Sequence, residues 1–197
     1  ILLERGDDVY DGRDGQLLGN LYLGTGNDLA QGGSGSDSFF GESGNDYLYG
    51  FGGNDFLSGG SGQDWIDGGA GADVMFGGEG ADTLIGSGGD AMTGGSGGDL
   101  FVIASGSGKI SISDFELGVD KIAFASSTGI TSLSGLTMTQ DGSDVLISFG
   151  STTIRVAGVS LEVLSANHFS FGFNTASASA AKTPGTVISE LAGLDPD

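Results

Sequence analysis

GGSGQDWID (59–67), GGAGADVMF (68–76) and GGEGADTLI (77–85) are three consecutive copies of one nine-residue pattern. Nine copies fill residues 23–102, and the only irregular one is an eight-residue copy at 86–93. Every copy has an acid at its sixth position, or at the fifth in the eight-residue copy: Asp28, Asp37, Asp46, Asp55, Asp64, Asp73, Asp82, Asp90 and Asp99. An apolar residue follows two positions later each time. Self-similarity at a fixed period predicts a repeat architecture, in which neighbouring units stack and bury a shared core.

Each copy divides into a turn and a short strand. The first six residues are mostly Gly and small polar residues, which favour a tight turn with its carbonyl groups pointing outward. The last three residues favour an extended strand whose middle side chain points inward. The copies resemble those of the RTX (repeats-in-toxin) family, whose parallel β-roll implies that two copies complete one coil of 18 residues, with odd copies stacked along one edge and even copies along the other. The apolar residues form the core between two sheets.

Composition points to cations as partners. The chain has 26 acidic and six basic residues and a formal charge of −20, which argues against nucleic acid and against an anionic membrane surface. Residues 23–102 hold ten Asp and two Glu but no Lys or Arg. Carboxylates stacked at this spacing raise one another's pKa unless a cation lies between them. Ca²⁺ prefers carboxylate and carbonyl oxygens, and the repeats contain no Cys or His for a softer metal.

These copies resemble the G-G-x-G-x-D-x-U-x nonapeptide of calcium-binding RTX (repeats-in-toxin) proteins. The resemblance implies an all-β fold: a right-handed parallel β-roll over 23–102, followed by an antiparallel β cap. It also implies that an ion lies between copies two apart. One turn supplies the carbonyls of positions two and four and its Asp; the other supplies those of positions one and three and its Asp. Carried over, the carbonyl ligands include Gly33, Gly35, Gly50, Gly53, Gly60, Gly62, Gly68, Gly69, Ala70, Gly71, Gly77 and Glu79.

The number of ions follows from the same pairing. Nine copies form at most seven pairs two apart, and the eight-residue copy makes its own site doubtful. Residues 3–11 resemble one degenerate copy within the edge segment 1–22. Asp8 and Asp28 are 20 residues apart, two more than one coil, so no regular metal site is predicted between them.

Alternating segments replace the glycine pattern after residue 102. The segments 109–115, 119–124, 136–140, 144–149 and 152–156 predict antiparallel strands. The stretch SDFELGVDKIAF (113–124) resembles the block that follows the roll in serralysin-type RTX proteins, which implies a cap over 103–173. Asp114 and Asp120 either bind a further ion or are acids of turns and strand ends.

No catalytic motif is present in the sequence. There is no zinc-protease helix, nucleophile elbow or phosphate loop, and the single His, His168, is interpreted as a packed or surface residue. One outward column, Leu29, Tyr47, Trp65, Thr83 and Leu100, predicts an apolar stripe. That stripe contacts sugar rings, an upstream domain or this chain's own cap. The Ala- and Ser-rich tail at 174–197 resembles an uncleaved type I secretion signal, and a disordered tail is an equal alternative.

The sequence therefore predicts a non-catalytic calcium-binding module of a type I secreted, extracellular bacterial protein. Calcium drives its folding outside the cell, and a piece of chain is expected to precede Ile1. One alternative is an ancillary module of a secreted enzyme, such as a serralysin-like protease, lipase or alginate-modifying enzyme, that helps bind a polysaccharide. Another is part of a calcium-dependent adhesin or surface-layer protein. The expected partners are calcium ions, an upstream catalytic or adhesive domain and the type I secretion machinery.

Overall fold

A computed structural model describes residues 1–13, 19–106 and 108–175 of the chain. These residues form 17 β-strands and three short 3-10 turns, and no helix among them is long and apolar enough to cross a membrane. The strands are β1 (Val9–Asp11), β2 (Leu21–Thr25), β3 (Leu29–Gln31), β4 (Ser38–Ser43), β5 (Tyr47–Tyr49), β6 (Phe56–Ser61), β7 (Trp65–Asp67), β8 (Val74–Glu79), β9 (Thr83–Gly86), β10 (Ala91–Ser96), β11 (Leu100–Ile103), β12 (Gly108–Ile112), β13 (Lys121–Ala125), β14 (Thr137–Asp141), β15 (Asp144–Phe149), β16 (Thr152–Val156) and β17 (Phe169–Phe173). The 3-10 turns are Ser126–Thr128, Leu133–Gly135 and Ala166–His168.

Successive strands alternate between two sheets. The eight-stranded sheet has the order β1-β3-β5-β7-β9-β11-β13-β17, and the nine-stranded sheet has the order β2-β4-β6-β8-β10-β12-β16-β15-β14. Within the repeats every pairing is parallel, and the register advances by one coil, as where Tyr47 pairs with Trp65 and Trp65 with Thr83. The predicted two-copy coil and the parallel β-roll are therefore confirmed.

The core lies between the two sheets and is lined by the eighth residue of each copy. Phe39, Leu57 and Met75 point inward from one sheet, and Leu48 and Ile66 from the other; all five have no exposed surface. Burying a side chain of this size stabilises a fold by about 1.5–3 kcal/mol. Because each strand contributes so few inward residues, the stacked coils bury a continuous core that no single coil has.

Two of the predicted antiparallel strands are parallel instead. β12 pairs in parallel with β10, and β13 pairs in parallel with β11, so the coil continues after the glycine pattern ends. Inward alternation is the same in parallel and antiparallel strands, so the sequence pattern did not distinguish them. The later segments do form antiparallel pairs, β14 with β15 and β15 with β16, and β16 returns to parallel pairing with β12. β17 was not predicted.

The predicted outward stripe is partly covered: Leu29 is buried, and the other four residues are half-buried. Leu29 has no exposed surface, and the Trp65 ring stacks on Phe173 with ring centroids 6.2 Å apart. Phe173 ends β17, in the region predicted as the cap, so one part of the stripe contacts this chain's own cap. The tail predicted at 174–197 lies outside the described residues from residue 176 onward.

Gly62 is a position where the fold excludes every side chain. Its φ is +138°, and an added Cβ would collide with the carbonyl oxygen of Gly44 in the preceding coil. We expect Gly62→Ala to lower the free energy of unfolding by more than about 3 kcal/mol, because backbone strain and collision add. Urea unfolding at saturating calcium measures this difference.

Gly142→Ala is the matched control. Gly142 also has a positive φ, +63°, but an added Cβ would meet no atom within 4 Å. This substitution should lower the free energy of unfolding by about 1–2 kcal/mol, because only the left-handed backbone conformation disfavours Ala. Equal losses in the two variants would contradict the close approach of coils at Gly62.

Candidate metal centres along the edges of the roll

The acidic residues of the repeats lie in two columns, one along each edge where the chain crosses between sheets. Within a column, the backbone N–H of one Asp donates to the side-chain Oδ1 of the next Asp. The first column holds the repeat residues Asp28, Asp46, Asp64, Asp82 and Asp99, and the second holds Asp37, Asp55, Asp73 and Asp90. All nine are buried.

In eight of the nine carboxylates, all but that of Asp37, one oxygen accepts a backbone N–H from the preceding coil. The backbone N–H of Asp46 donates to Oδ1 of Asp64 at 2.8 Å, and the N–H of Asp64 donates to Oδ1 of Asp82 at 2.8 Å. The second column repeats this contact, with Asp55 N–H donating to Asp73 Oδ1 at 2.9 Å. These bonds fix the direction of each of these eight carboxyl groups along its edge.

The other oxygen is buried without a hydrogen-bond partner in most members of the two columns. This holds for Oδ2 of Asp28, Asp46, Asp55, Asp64, Asp73, Asp82 and Asp99. A buried polar atom left unpaired costs about 1–3 kcal/mol, and more where it is charged. Seven such atoms in register therefore mark positions that need a ligand from outside the protein.

Carbonyl oxygens face the same spaces as these carboxylates. A Cβ added at Gly50 would meet Asp55 Oδ2 and the carbonyl oxygen of Gly68, the latter at 2.5 Å. A Cβ added at Gly77 would likewise meet Asp82 Oδ2 and a carbonyl oxygen of the next coil. The small residue at position one thus leaves open a space bordered by a carboxylate and a carbonyl from two turns.

Carbonyls of positions two and four point from each turn toward the next coil. Added Cβ atoms at Gly78 and Gly80 would collide with the carbonyl oxygens of Gly60 and Gly62. The other predicted carbonyl ligands of these two positions also face a neighbouring turn: Gly33, Gly35, Gly53, Gly69 and Gly71.

Carbonyls of position three are already used in part. Ala70 accepts the N–H of Gly53 at 2.9 Å, and Glu79 accepts the N–H of Gly62 at 2.7 Å. Each carbonyl oxygen keeps a second lone pair. Among the described residues no three acidic or His side chains converge on one point, so carbonyls would complete any ligand set. Anionic and neutral oxygens in this combination suit Ca²⁺.

The pKa values of the column carboxylates are raised, as expected for buried acids with no positive charge beside them. Burial raises the pKa of Asp46 to about 8, and the neighbouring carboxylates Asp64 and Asp28 add to the rise. Burial also raises the pKa of Asp64 to about 7, with a further contribution from Asp82. In the second column, burial raises the pKa of Asp55 to about 7. Without a cation, these groups approach neutrality at ordinary pH.

Two members of the second column differ from the rest. Oδ2 of Asp37 accepts the N–H of Gly33 at 2.9 Å, and Oδ2 of Asp90 accepts the N–H of Ser87 at 2.7 Å. Asp90 belongs to the eight-residue copy, in which the backbone of the turn reaches the carboxylate. The protein itself therefore satisfies both oxygens of Asp90.

Two acids outside the nine copies extend the first column. Asp8 N–H donates to Oδ1 of Asp28 at 2.6 Å, and Asp99 N–H donates to Oδ1 of Asp120 at 2.9 Å. The sequence signal for Asp120 is GVDKI (118–122), with Gly two residues before and Ile two residues after the acid. No metal ligand set was predicted for Asp8.

The contacts of Asp120 and Asp114 favour one of the two alternatives that the sequence left open. Oδ2 of Asp120 accepts the N–H of Glu116 at 2.7 Å. Asp114 accepts the N–H groups of Gly94 and Gly95 at 2.9 and 2.7 Å. These contacts are those of acids that stabilise turns and strand ends.

An uncharged ladder runs beside the first column and was not predicted. The side-chain carbonyl of Asn27 accepts the N–H of Asn45 at 2.8 Å, and that of Asn45 accepts the N–H of Gln63 at 2.6 Å. Position five therefore links adjacent turns through neutral side chains. The later copies have Ala81 and Gly98 at this position, so their turns lack such a side chain.

Residues 22–50 and 49–84 match the family described as RTX calcium-binding nonapeptide repeat (four copies). The matched family describes repeats and not a catalytic domain. No curated protein sequence matches the chain.

Solved structures similar to this chain include an extracellular lipase and a subunit of an epimerase. The extracellular lipase LipA from Serratia marcescens shares 20% identity at a TM-score of 0.36, over 78% of this chain and 40% of the lipase. The AlgE6R3 subunit of the Azotobacter vinelandii mannuronan C5-epimerase shares 24% identity at a TM-score of 0.39, over 89% of each chain. The chain thus spans less than half the length of the lipase.

Asp64→Asn tests the role of the unpartnered oxygen. The amide keeps an oxygen for the N–H of Asp46 but removes the charge at Oδ2, so we expect a several-fold higher calcium midpoint for folding. Glu42→Gln is the control. Glu42 is exposed, so this substitution removes one negative charge without changing a buried oxygen. Calcium titrations followed by circular dichroism measure both midpoints, and equal shifts would refute a specific role for Asp64.

The raised pKa values predict that acid favours the metal-free roll. The Asp pKa is 3.8 in the unfolded chain and about 6 to 8 for Asp28, Asp46 and Asp64 in the fold. At pH values between these two limits, the folded state therefore binds more protons than the unfolded state. This stability is complete below the unfolded value and is lost as the pH rises through the folded values. In chelator, we expect β-type circular dichroism to increase from about pH 8 to about pH 5.

The calcium-saturated chain should respond to pH with the opposite sign. Protons compete with the cation for the same carboxylates, so the calcium midpoint should rise as the pH falls. If the chelated chain lost β-signal on acidification, the raised pKa values would be wrong.

Proposed function

We propose that this chain, whose residues 22–84 are RTX calcium-binding nonapeptide repeats, is a module in which calcium binding and folding are one event. The observation that carries the proposal is the set of buried carboxylate oxygens without partners, which recurs at all five repeat residues of the first column and at Asp55 and Asp73 of the second. Beside Asp46, Asp55 and Asp82, a carbonyl oxygen of the next turn borders the same space as the unpartnered oxygen. A cation between the coils supplies the missing partner.

The proposed ligands follow the pairing of adjacent coils. One ion takes the carbonyls of Gly60 and Gly62 and the carboxylate of Asp64 from one turn. The next turn supplies the carbonyls of Gly77 and Glu79 and the carboxylate of Asp82. Because Oδ1 and Oδ2 of an Asp serve different neighbours, one carboxylate couples two successive spaces, and binding along an edge should be cooperative.

The energetic balance explains why the ions and the fold depend on one another. About 1–2 kcal/mol of conformational entropy is lost for each ordered backbone, and the turns are rich in Gly, which loses most. At calcium tenfold above Kd, each independent site stabilises the fold by about 1.4 kcal/mol. The upper limit of seven sites corresponds to roughly 10 kcal/mol, which is comparable to the whole stability of a typical domain.

The location of the protein sets its state in this proposal. Extracellular calcium modules bind with Kd on the order of 0.1–1 mM, so cytosolic calcium leaves the chain unfolded and external calcium folds it. An unfolded chain suits passage through a narrow channel, and folding outside opposes its return. This order of events fits a protein exported by a type I system, with the module stabilising the part of the protein to which it is attached.

A polysaccharide-binding role has less support on the predicted stripe. Leu29 is buried and Trp65 stacks on Phe173, so these side chains do not form an open platform for sugar rings. An adhesin or enzyme parent is compatible with the same calcium-dependent module.

Calcium titration of the full chain tests the proposed function. In chelator near neutral pH we expect a coil-type circular dichroism signal, because the carboxylate columns repel without a cation. Calcium should convert it cooperatively to a β-type signal. Magnesium is the control, because its stricter and more hydrated octahedron should not replace calcium at equal concentration. A chain that is fully folded in chelator, or equally folded by magnesium, would refute the proposal.

A further inference from the structure

We infer that the turn at residues 3–8 and the turn at residues 23–28 form a calcium site one coil before the first pair of repeats. The inference rests on the proposed function of the later turns. Asp8 and Asp28 are 20 residues apart instead of 18, and residues 3–8 carry only part of the repeat pattern. The structure nevertheless joins the two turns by the hydrogen bonds of a regular pair, with Leu3 and Leu23 in place of Gly at position one.

The backbone of the two turns is joined as in the repeats. Gly6 N–H donates to the carbonyl of Thr25 at 2.7 Å, and the corresponding bond between regular turns runs from Gly44 N–H to Ser61 at 2.8 Å. The two turns therefore lie at the same separation and in the same register as a regular pair.

Asp8 occupies the place of a repeat Asp. Its N–H donates to Oδ1 of Asp28 at 2.6 Å, and its carbonyl accepts the N–H of Leu29 at 2.9 Å. Its Oδ2 is buried and has no hydrogen-bond partner, as in the repeat residues of the same column. This atom is the direct sign of a missing ligand.

Two carbonyls of the first turn face the second. Added Cβ atoms at Gly24 and Gly26 would collide with the carbonyl oxygens of Glu4 and Gly6. Glu4 adopts a φ of +76°, which matches the +74° of Glu42 at the same position of a regular turn. The carbonyl groups of positions two and four are thus presented without the usual glycine at position two.

The two extra residues do not disturb the turn. β1 pairs with β3 in register, with Val9 opposite Leu29 and Asp11 opposite Gln31. The longer spacing therefore falls after β1, between residues 12 and 20, and not in the turn that faces Asp28.

Charge also favours a cation at this end of the roll. The first turn carries three acids, Glu4, Asp7 and Asp8. Its one basic residue, Arg5, is exposed. An ion here ties β1 to β3 at the edge of the eight-stranded sheet. Terminal units of a solenoid have only one neighbour, so this ion would hold the coil that is most liable to detach.

The test is the number of calcium ions bound by the full chain and two variants, measured by equilibrium dialysis at saturating calcium. Asp8→Asn removes the charge at the unpartnered oxygen and should lower the count by one ion per chain. Asp7→Asn is the matched control, because Asp7 is exposed and its side chain only accepts the N–H of Asn27, at 2.8 Å. It should keep the full count.

The outcomes separate this inference from the proposed function. If Asp8→Asn loses at least one ion while Asp7→Asn loses none, the site is supported. If Asp8→Asn keeps the full count, or if both variants lose equally, the inference is overturned while the repeats remain calcium sites. If the unmodified chain binds no calcium, the proposed function fails and the inference fails with it. Circular dichroism at saturating calcium confirms that both variants retain the roll.

Discussion

Like charges buried in register are the constraint on which the structure depends. Each coil brings an Asp within hydrogen-bonding distance of the Asp of the next coil, and the repeats contain no basic side chain to compensate. The backbone satisfies one oxygen of each carboxylate and leaves the other unpaired in seven of the nine repeat residues. Only protonation or a cation makes such a column stable. Under the proposed function, the fold therefore depends on its ionic surroundings, because a cation from outside joins its turns.

The hydrophobic core and the carboxylate columns are complementary. A strand of three residues buries one inward side chain, so the core grows only as coils stack, and coils stack only where the turns tolerate one another. Glycine permits the close approach at the turns, as at Gly62, where a side chain would strike the preceding coil. The neutral ladder of Asn27, Asn45 and Gln63 adds links that need no ion in the first half of the repeats. The later copies lack it, and the strands of the last two copies, β10 and β11, pair with β12 and β13, which continue the same two sheets.

Different elements adjoin the repeats at the two ends of the roll. Residues 1–11 continue the first column through Asp8, and β12 and β13 continue both sheets beyond the last copy. At the far end the antiparallel strands β14, β15 and β16 complete the nine-stranded sheet. There Asp144 accepts the N–H of Gly158 at 2.9 Å and the Nε–H of Arg155 at 2.6 Å, which lowers its pKa to about 2. Hydrogen bonds and a guanidinium thus lower the pKa of Asp144, whereas burial raises the pKa of column carboxylates such as Asp46 and Asp64.

The nine-residue period by itself determined the length of the repeating unit, the inward apolar column and the regular spacing of the acids, and the absence of bases among those acids indicated a hard cation. These follow from local chemistry: glycine turns, period-two alternation and charge without counter-charge. Tertiary structure alone decided the direction of β12 and β13, because alternation is identical in parallel and antiparallel strands. It also decided that Asp8 joins the first column despite its spacing, since the extra residues fall after the strand. Finally, it decided which carboxylate oxygens the protein satisfies, as at Asp90, because that depends on where a single backbone N–H lies in space.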